Sequence, residues 1–182
     1  MKRILVILGH PSKNSLNRAM AEAYIKGAVK RHEIKSIFLS DIKFNPILTG
    51  GYGGKQKLEK DLIDAQEKIK WANHLVFIYP IWWASPPAIL KGFIERVFLP
   101  GFAFQYKNGG KVNKLLIGKT ASLIMTTGGR KIWYRVFGWI MNKPMSVGTL
   151  GFCGIKTVKQ IFISEIRKVP EERVGRILNN IR

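Results

Sequence analysis

Five short apolar runs, separated by stretches of helical periodicity, constrain this chain more than any other feature. They lie at Arg3–Leu8, 34–39, 74–79, 120–125 and 157–163. The first is nearly unbroken and rich in β-branched residues, as in a strand covered on both faces. The spacers carry helix signals. Ser15 offers an N-cap for a helix over 16–30, and Leu16, Met20, Ala23, Tyr24 and Ala28 fall near one side of it. Further helices are predicted over 57–70, 87–98 and 170–181, with 131–145 partly helical. Residues 40–54 contain Pro46 and four glycines and read as a mobile surface loop, and 101–116 as a connection turning at Asn108-Gly109-Gly110. Strand–helix–strand units of this kind are right-handed. The expectation is an α/β fold: one domain over 1–182, with a doubly wound, five-stranded parallel sheet. The strand order is 2-1-3-4-5 and helices lie on both faces.

Composition narrows the class. The apolar fraction of 46% suits a soluble globular protein. The longest apolar run is too short to span a bilayer, and no cleavage site follows the first strand, so the expected location is the cytoplasm. Cys153 is the sole cysteine, so no internal disulfide forms, and a buried thiol is expected. Lys and Arg number 31 against 11 Asp and Glu, a net charge of +20. Such a field draws polyanions or phosphorylated cofactors. The cations are scattered, and no nucleic-acid-binding motif accompanies them, so nucleic acid is not the expected partner.

In this topology ligands bind beyond the carboxyl ends of the strands, where the loops after strands 1, 3 and 4 meet. The first loop supplies His10, Ser12, Asn14, Ser15 and Asn17 near a helix N-terminus, whose free N–H groups favour phosphate. The second is Tyr79-Pro80-Ile81-Trp82-Trp83-Ala84-Ser85-Pro86-Pro87, whose two Trp offer a flat apolar wall with polar edges. The third is Thr126-Thr127-Gly128-Gly129, where a flat ligand can approach the backbone and consecutive N–H groups can face developing negative charge. Tyr134 follows with a hydroxyl able to donate.

Other chemistries fail on spacing. Gly118-Lys119-Thr120 resembles the end of a P-loop, but Asn113 replaces its first Gly, and Gln56 breaks a G-x-G-x-x-G at Gly51 and Gly53. No metal-ligand spacing and no G-x-S-x-G elbow occur. A phosphate cradle, an aromatic wall and a glycine rim together fit a phosphorylated planar cofactor, a flavin.

These motifs, with Pro87-Ala88-Ile89-Leu90-Lys91-Gly92, Glu95-Arg96-Val97-Phe98, Gly101-Phe102-Ala103-Phe104 and Phe152-Cys153-Gly154, occur in the order found in a known family. The chain resembles the flavodoxin-like NAD(P)H:quinone oxidoreductases, which include the mammalian quinone reductases, the bacterial modulator-of-drug-activity proteins and the ancillary flavoproteins of potassium efflux systems. The resemblance implies hydride transfer from NAD(P)H to flavin N5, then two-electron reduction of a quinone or similar acceptor, with ping-pong kinetics. It implies that His10, Leu16 and Asn17, beside Ser15, hold the phosphate region. Pro80, Ile81, Trp82, Trp83 and Ala84 would line the ring and ribityl edges. Thr126, Thr127, Gly128 and Gly129 would support the ring, with Tyr134 near hydride transfer. Ile140 stands where the mammalian members carry a His, so a proton relay through that side chain is not carried over. FAD and FMN both fit. The family also implies a homodimer, with Trp133, Phe137 and Trp139 as contacts. Two alternatives follow: a flavin-containing regulatory subunit of a membrane potassium efflux system, and a one-electron carrier.

Overall fold

A computed structural model describes residues 1–54 and 56–166. Its main sheet holds β1 (Arg3–Leu8), β2 (Glu33–Phe38), β3 (His74–Pro80), β6 (Thr120–Thr126) and β7 (Lys156–Ile163), all parallel, in the order β2-β1-β3-β6-β7. This is the expected order, with the strands renumbered by a hairpin that the sequence reading left as a connection. The terminal helix predicted over 170–181 lies outside the described residues.

The sheet splits two cores by the period-2 alternation of its strands. Leu5, Ile7, Leu75, Phe77, Leu123 and Met125 face one layer, where α2 (Lys60–Trp71) contributes Leu62 and α3 (Ala88–Val97) contributes Leu90 and Phe93. Ile4, Val6, Leu8, Val76, Ile78 and Ile124 face the other, against Met20 and Ala21 of α1 (Leu16–Ala28). A fully buried Leu or Ile contributes about 1.5–3 kcal/mol, so these central strands anchor the loops at their ends. α1 starts where expected: Ser15 has extended backbone, and its Oγ accepts from the Arg18 N–H at 3.2 Å.

Three segments depart from expectation. Residues 101–116 fold into β4 (Phe104–Tyr106) and β5 (Val112–Lys114), an antiparallel pair with the turn at Asn108–Gly110 as read. α4 (Lys131–Lys143) is continuous and runs into a π-helical stretch at Pro144–Gly151. The loop read as mobile is tied down instead. Gln56 Nε2 donates to Ile47 O at 3.0 Å, and its Oε1 accepts from Thr49 N–H at 2.9 Å. Gly92 on α3 makes room for this loop, because a Cβ there would lie 2.5 Å from Pro46 O. One turn on, the buried Arg96 donates to Asn45 O at 2.6 Å, Lys57 O at 2.9 Å and Glu59 Oε2 at 2.8 Å.

Candidate functional site

β3 and β6 run side by side to their carboxyl ends, where Pro80 pairs with Thr126 and Ile81 N–H donates to Thr126 O at 2.8 Å. This fixes the aromatic loop against the glycine rim. A pocket of about 510 Å³ opens between them, lined by Pro80, Ile81, Trp82 and Trp83 on one side and Thr126, Thr127, Gly128 and Gly129 on the other. Its size suits a ring system of drug-like dimensions. Ile166 also lines it and was missed in the sequence. The exit of β7 holds the rim: Ile166 N–H donates to Thr127 O at 3.2 Å and Glu165 N–H to Gly129 O at 3.1 Å. The signal was available, because the sheet order puts the end of β7 beside the end of β6.

The aromatic loop is a tight turn. Trp82 and Ser85 exchange two backbone hydrogen bonds, at 2.9 and 3.0 Å. Trp83 and Ala84 between them have φ of 49° and 59°. Positive φ at both central positions is the pattern of a type I′ turn, which favours Gly and Asn. Here it holds Trp83 fully exposed (100%) at the pocket's edge and Trp82 half-exposed. Ala84 sits on the turn and does not line the pocket.

The first loop and the first turn of α1 join through two contacts. The His10 ring meets Trp82 edge-on, with centroids 5.5 Å apart. Ser12 N–H donates to His10 Nδ1 at 3.0 Å, and burial lowers the imidazole's pKa, so the ring stays neutral near pH 7. Asn17 is 2% exposed, and its Oδ1 accepts from Thr126 Oγ1 at 2.9 Å. Its Nδ2 has no protein partner. A buried amide donor without an acceptor is costly, and this one belongs to a side chain that touches the rim. Ser15 caps α1, and Leu16 packs at the edge of the second core.

The rim offers fewer free donors than the sequence suggested. Thr127 N–H donates to Ile163 O at 2.9 Å, and Gly129 N–H leans on Thr127 Oγ1 at 3.3 Å. Tyr134 stands on α4, but its side chain, like those of Trp133 and Trp139, lies outside the described residues. Cys153 is buried as expected, and burial pushes its thiol up to about 11, which leaves it protonated at neutral pH. Among the described residues no group of three His, Cys, Asp or Glu could hold a metal.

Comparison with known proteins places this geometry. A family of flavodoxin-like fold (Flavodoxin_2) matches residues 2–180. NAD(P)H dehydrogenase (quinone) 1 of Cavia porcellus is 33% identical, over 94% of this chain and 72% of its own length. The chain belongs to the flavodoxin-like NAD(P)H:quinone oxidoreductase family. Among solved structures, Smu.1420 from Streptococcus mutans is 30% identical, with a TM-score of 0.86, over 98% of this chain and 96% of that one. An FMN-dependent NADH-azoreductase from Bacillus anthracis, in complex with FMN, is 20% identical with a TM-score of 0.70 over 100% of this chain and 96% of its own, and shares the fold. The flavodoxin-like fold and the strand order seen in this sheet are those read from the sequence.

Proposed function

We propose that the chain is a flavin-dependent oxidoreductase that takes reducing equivalents from NAD(P)H and passes two electrons to a quinone-type acceptor. The observation that carries this reading is the Asn17 amide. It is buried beside Thr126, has a donor left over, and stands in the first turn of α1, at the helix N-terminus. A phosphate held there would accept from Asn17 Nδ2 and from the helix end. The pocket between 80–83 and 126–129 would take the flat ring, with Trp82 and Trp83 excluding water from its edge. A flavin bound there supplies two-electron transfer between nicotinamide and acceptor. The NAD(P)H dehydrogenase among its relatives supports both the donor and the acceptor class.

The chain's own residues would do three things. His10, neutral and braced by Ser12, would offer a ring edge beside Trp82. Thr126 would hold Asn17 by its Oδ1 and leave Nδ2 as the donor still to be used. Tyr134 would donate from its hydroxyl to charge that builds on the ring.

The test begins with the purified protein. Any chromophore released on denaturation is identified by mass, and oxidation of NADH and NADPH is followed with menadione as acceptor. A yellow protein that turns over menadione is expected. A colourless protein that binds neither FMN nor FAD overturns the reading. Asn17→Ala should weaken flavin binding about ten- to a hundredfold, since a lost hydrogen bond to a charged group costs about 1.5–3 kcal/mol. Tyr134→Phe should slow flavin reduction in stopped-flow while leaving flavin affinity near that of the unaltered protein. An unchanged rate removes Tyr134 from the chemistry.

A further inference from the structure

The last strand of the sheet leaves it through a residue whose type does not favour the backbone it adopts. β7 follows β6 in parallel register as far as Ile163, whose carbonyl accepts from Thr127 N–H at 2.9 Å. Two residues on, Glu165 has φ of 61°. Glycine takes that left-handed region freely, and a side chain with a Cβ is strained in it. The described non-glycine residues with positive φ are Trp83, Ala84 and Glu165. The first two form the turn at the pocket's edge, and the third precedes Ile166, which lines the same pocket. Strain of this kind persists where the surroundings over-determine it, and it gathers at sites.

The hydrogen bonds around Glu165 show what the strain achieves. In an extended strand successive N–H groups point to opposite edges, so two in a row do not reach the same neighbour. Glu165 breaks that alternation. Its N–H donates to Gly129 O at 3.1 Å, and the next one, of Ile166, donates to Thr127 O at 3.2 Å. A left-handed residue turns consecutive N–H groups to one side, as in a backbone nest. Here the two donors close on the carbonyls that flank Gly128, so the rim is gripped on both sides of its middle residue. Thr127, Gly128 and Gly129 all line the pocket. The partial negative charge of Thr127 O and Gly129 O is thereby directed at β7 and not at a ring lying in the pocket. The carboxylate of Glu165 enters neither bond.

We propose that Glu165 is a positioning residue: its left-handed backbone latches the exit of β7 onto the glycine rim and keeps the rim's carbonyls off the bound flavin. The role toward flavin rests on the redox reading above. Electrons that arrive on the ring make it more negative, and a carbonyl freed to face it would oppose that charge. Loss of the latch should therefore lower both the affinity for flavin and its midpoint potential. Three variants separate backbone from side chain. Glu165→Gly keeps both N–H groups and adopts positive φ without strain, and Glu165→Gln removes only the charge. Both should bind FMN or FAD within about twofold of the unaltered protein, at the same potential. Glu165→Val places a β-branched side chain where φ is positive, which such residues rarely tolerate. It should weaken flavin binding about tenfold, as for the loss of one hydrogen bond, and lower the potential, with the circular dichroism spectrum unchanged. Amide exchange of the purified protein reads the latch whether or not flavin is bound. The amides of residues 165 and 166 should exchange at least about tenfold faster in the Val variant. A Val variant with an unaltered potential overturns the positioning role, and one with unaltered exchange overturns the latch itself. A Gln variant that shifts the potential as far as Val also overturns the proposal, because the carboxylate then carries the effect. Should the unaltered protein take up no flavin, the redox reading fails by itself. The latch then still stands on faster exchange in the Val variant and falls without it.

Discussion

Trp83 and Ala84 keep a left-handed backbone without glycine or asparagine to ease it. An L-residue in that region costs about 1–2 kcal/mol through its Cβ. The strain persists because two backbone hydrogen bonds between Trp82 and Ser85 close the turn and Pro86 and Pro87 stiffen its exit. Its result is a Trp held out at the pocket's edge. Ala84→Gly removes the clash, though glycine gives back part of the gain in the unfolded chain. A net rise in stability of about 0.5–1 kcal/mol is expected, seen as a higher thermal midpoint. A lower midpoint would mean that the turn carries no such strain. The double Trp was legible as a site because its residue types are unusual in a loop. Its backbone was not legible, because nothing local in Trp-Trp-Ala-Ser favours positive φ. Asn17 was readable as a candidate by its place after Ser15. Its leftover donor depends on Thr126, 109 positions away, and so on the folded sheet.

At the scale of elements, the clasp between α3 and residues 45–59 shows where local reading stops. In sequence, Arg96 follows Glu95 on a helix, and nothing beside it signals burial. In the fold its side chain is 1% exposed and bonded to Glu59 and two carbonyls of the incoming loop. Glu59→Ala would leave the guanidinium buried with its charge unpaired. Breaking such a pair from one side costs about 3–5 kcal/mol. The remaining carbonyl partners and the partial exposure of Glu59 put the expectation near the low end, about 3 kcal/mol. Denaturant titration should measure that loss, and limited proteolysis should open at 45–59 first. A loss under about 1 kcal/mol would mean that the carbonyls alone hold Arg96. The five parallel strands were readable because strands covered on both faces are continuous apolar runs. The β4–β5 pair was not, because Phe104 is its one buried residue and its strands are three residues long. β3 and β6 are also joined at their other end. His74 meets Thr120 Oγ1 at 2.7 Å and Ser122 Oγ at 3.0 Å, and burial, with Lys2 and His32 nearby, lowers its pKa. The unfolded chain therefore takes up this proton first as pH falls. The contribution of His74 is complete above the unfolded value of about 6.5 and declines below it, down through the lowered folded value. His74→Gln should flatten the stability profile between pH 7 and 5. An identical slope would exclude His74 as its source.

For the whole molecule the excess of cations dominates. If every one of the 11 carboxylates were paired, the formal charge would still leave 20 Lys and Arg without an opposite partner. Among the described residues the ion pairs are mostly exposed helix pairs such as Lys68–Asp64 and Lys70–Glu67, each worth a few tenths of a kcal/mol. Compacting the chain brings like charges together, and unfolding lets them separate. Salt weakens both the attractions and the repulsions. Its net effect follows the more numerous term, which here is repulsion. The screening length shrinks from about 30 Å at 0.01 M to about 8 Å at 0.15 M, less than the spacing of charges on opposite faces. The thermal midpoint should therefore rise with sodium chloride over that range. A gain of about 1 kcal/mol would appear as about 2–4 °C for a chain of this length. A midpoint that falls with salt would show that the clasped pairs around Arg96 and Arg18 outweigh the excess. The stability of the fold would then depend on a few placed carboxylates and not on the charge it carries overall.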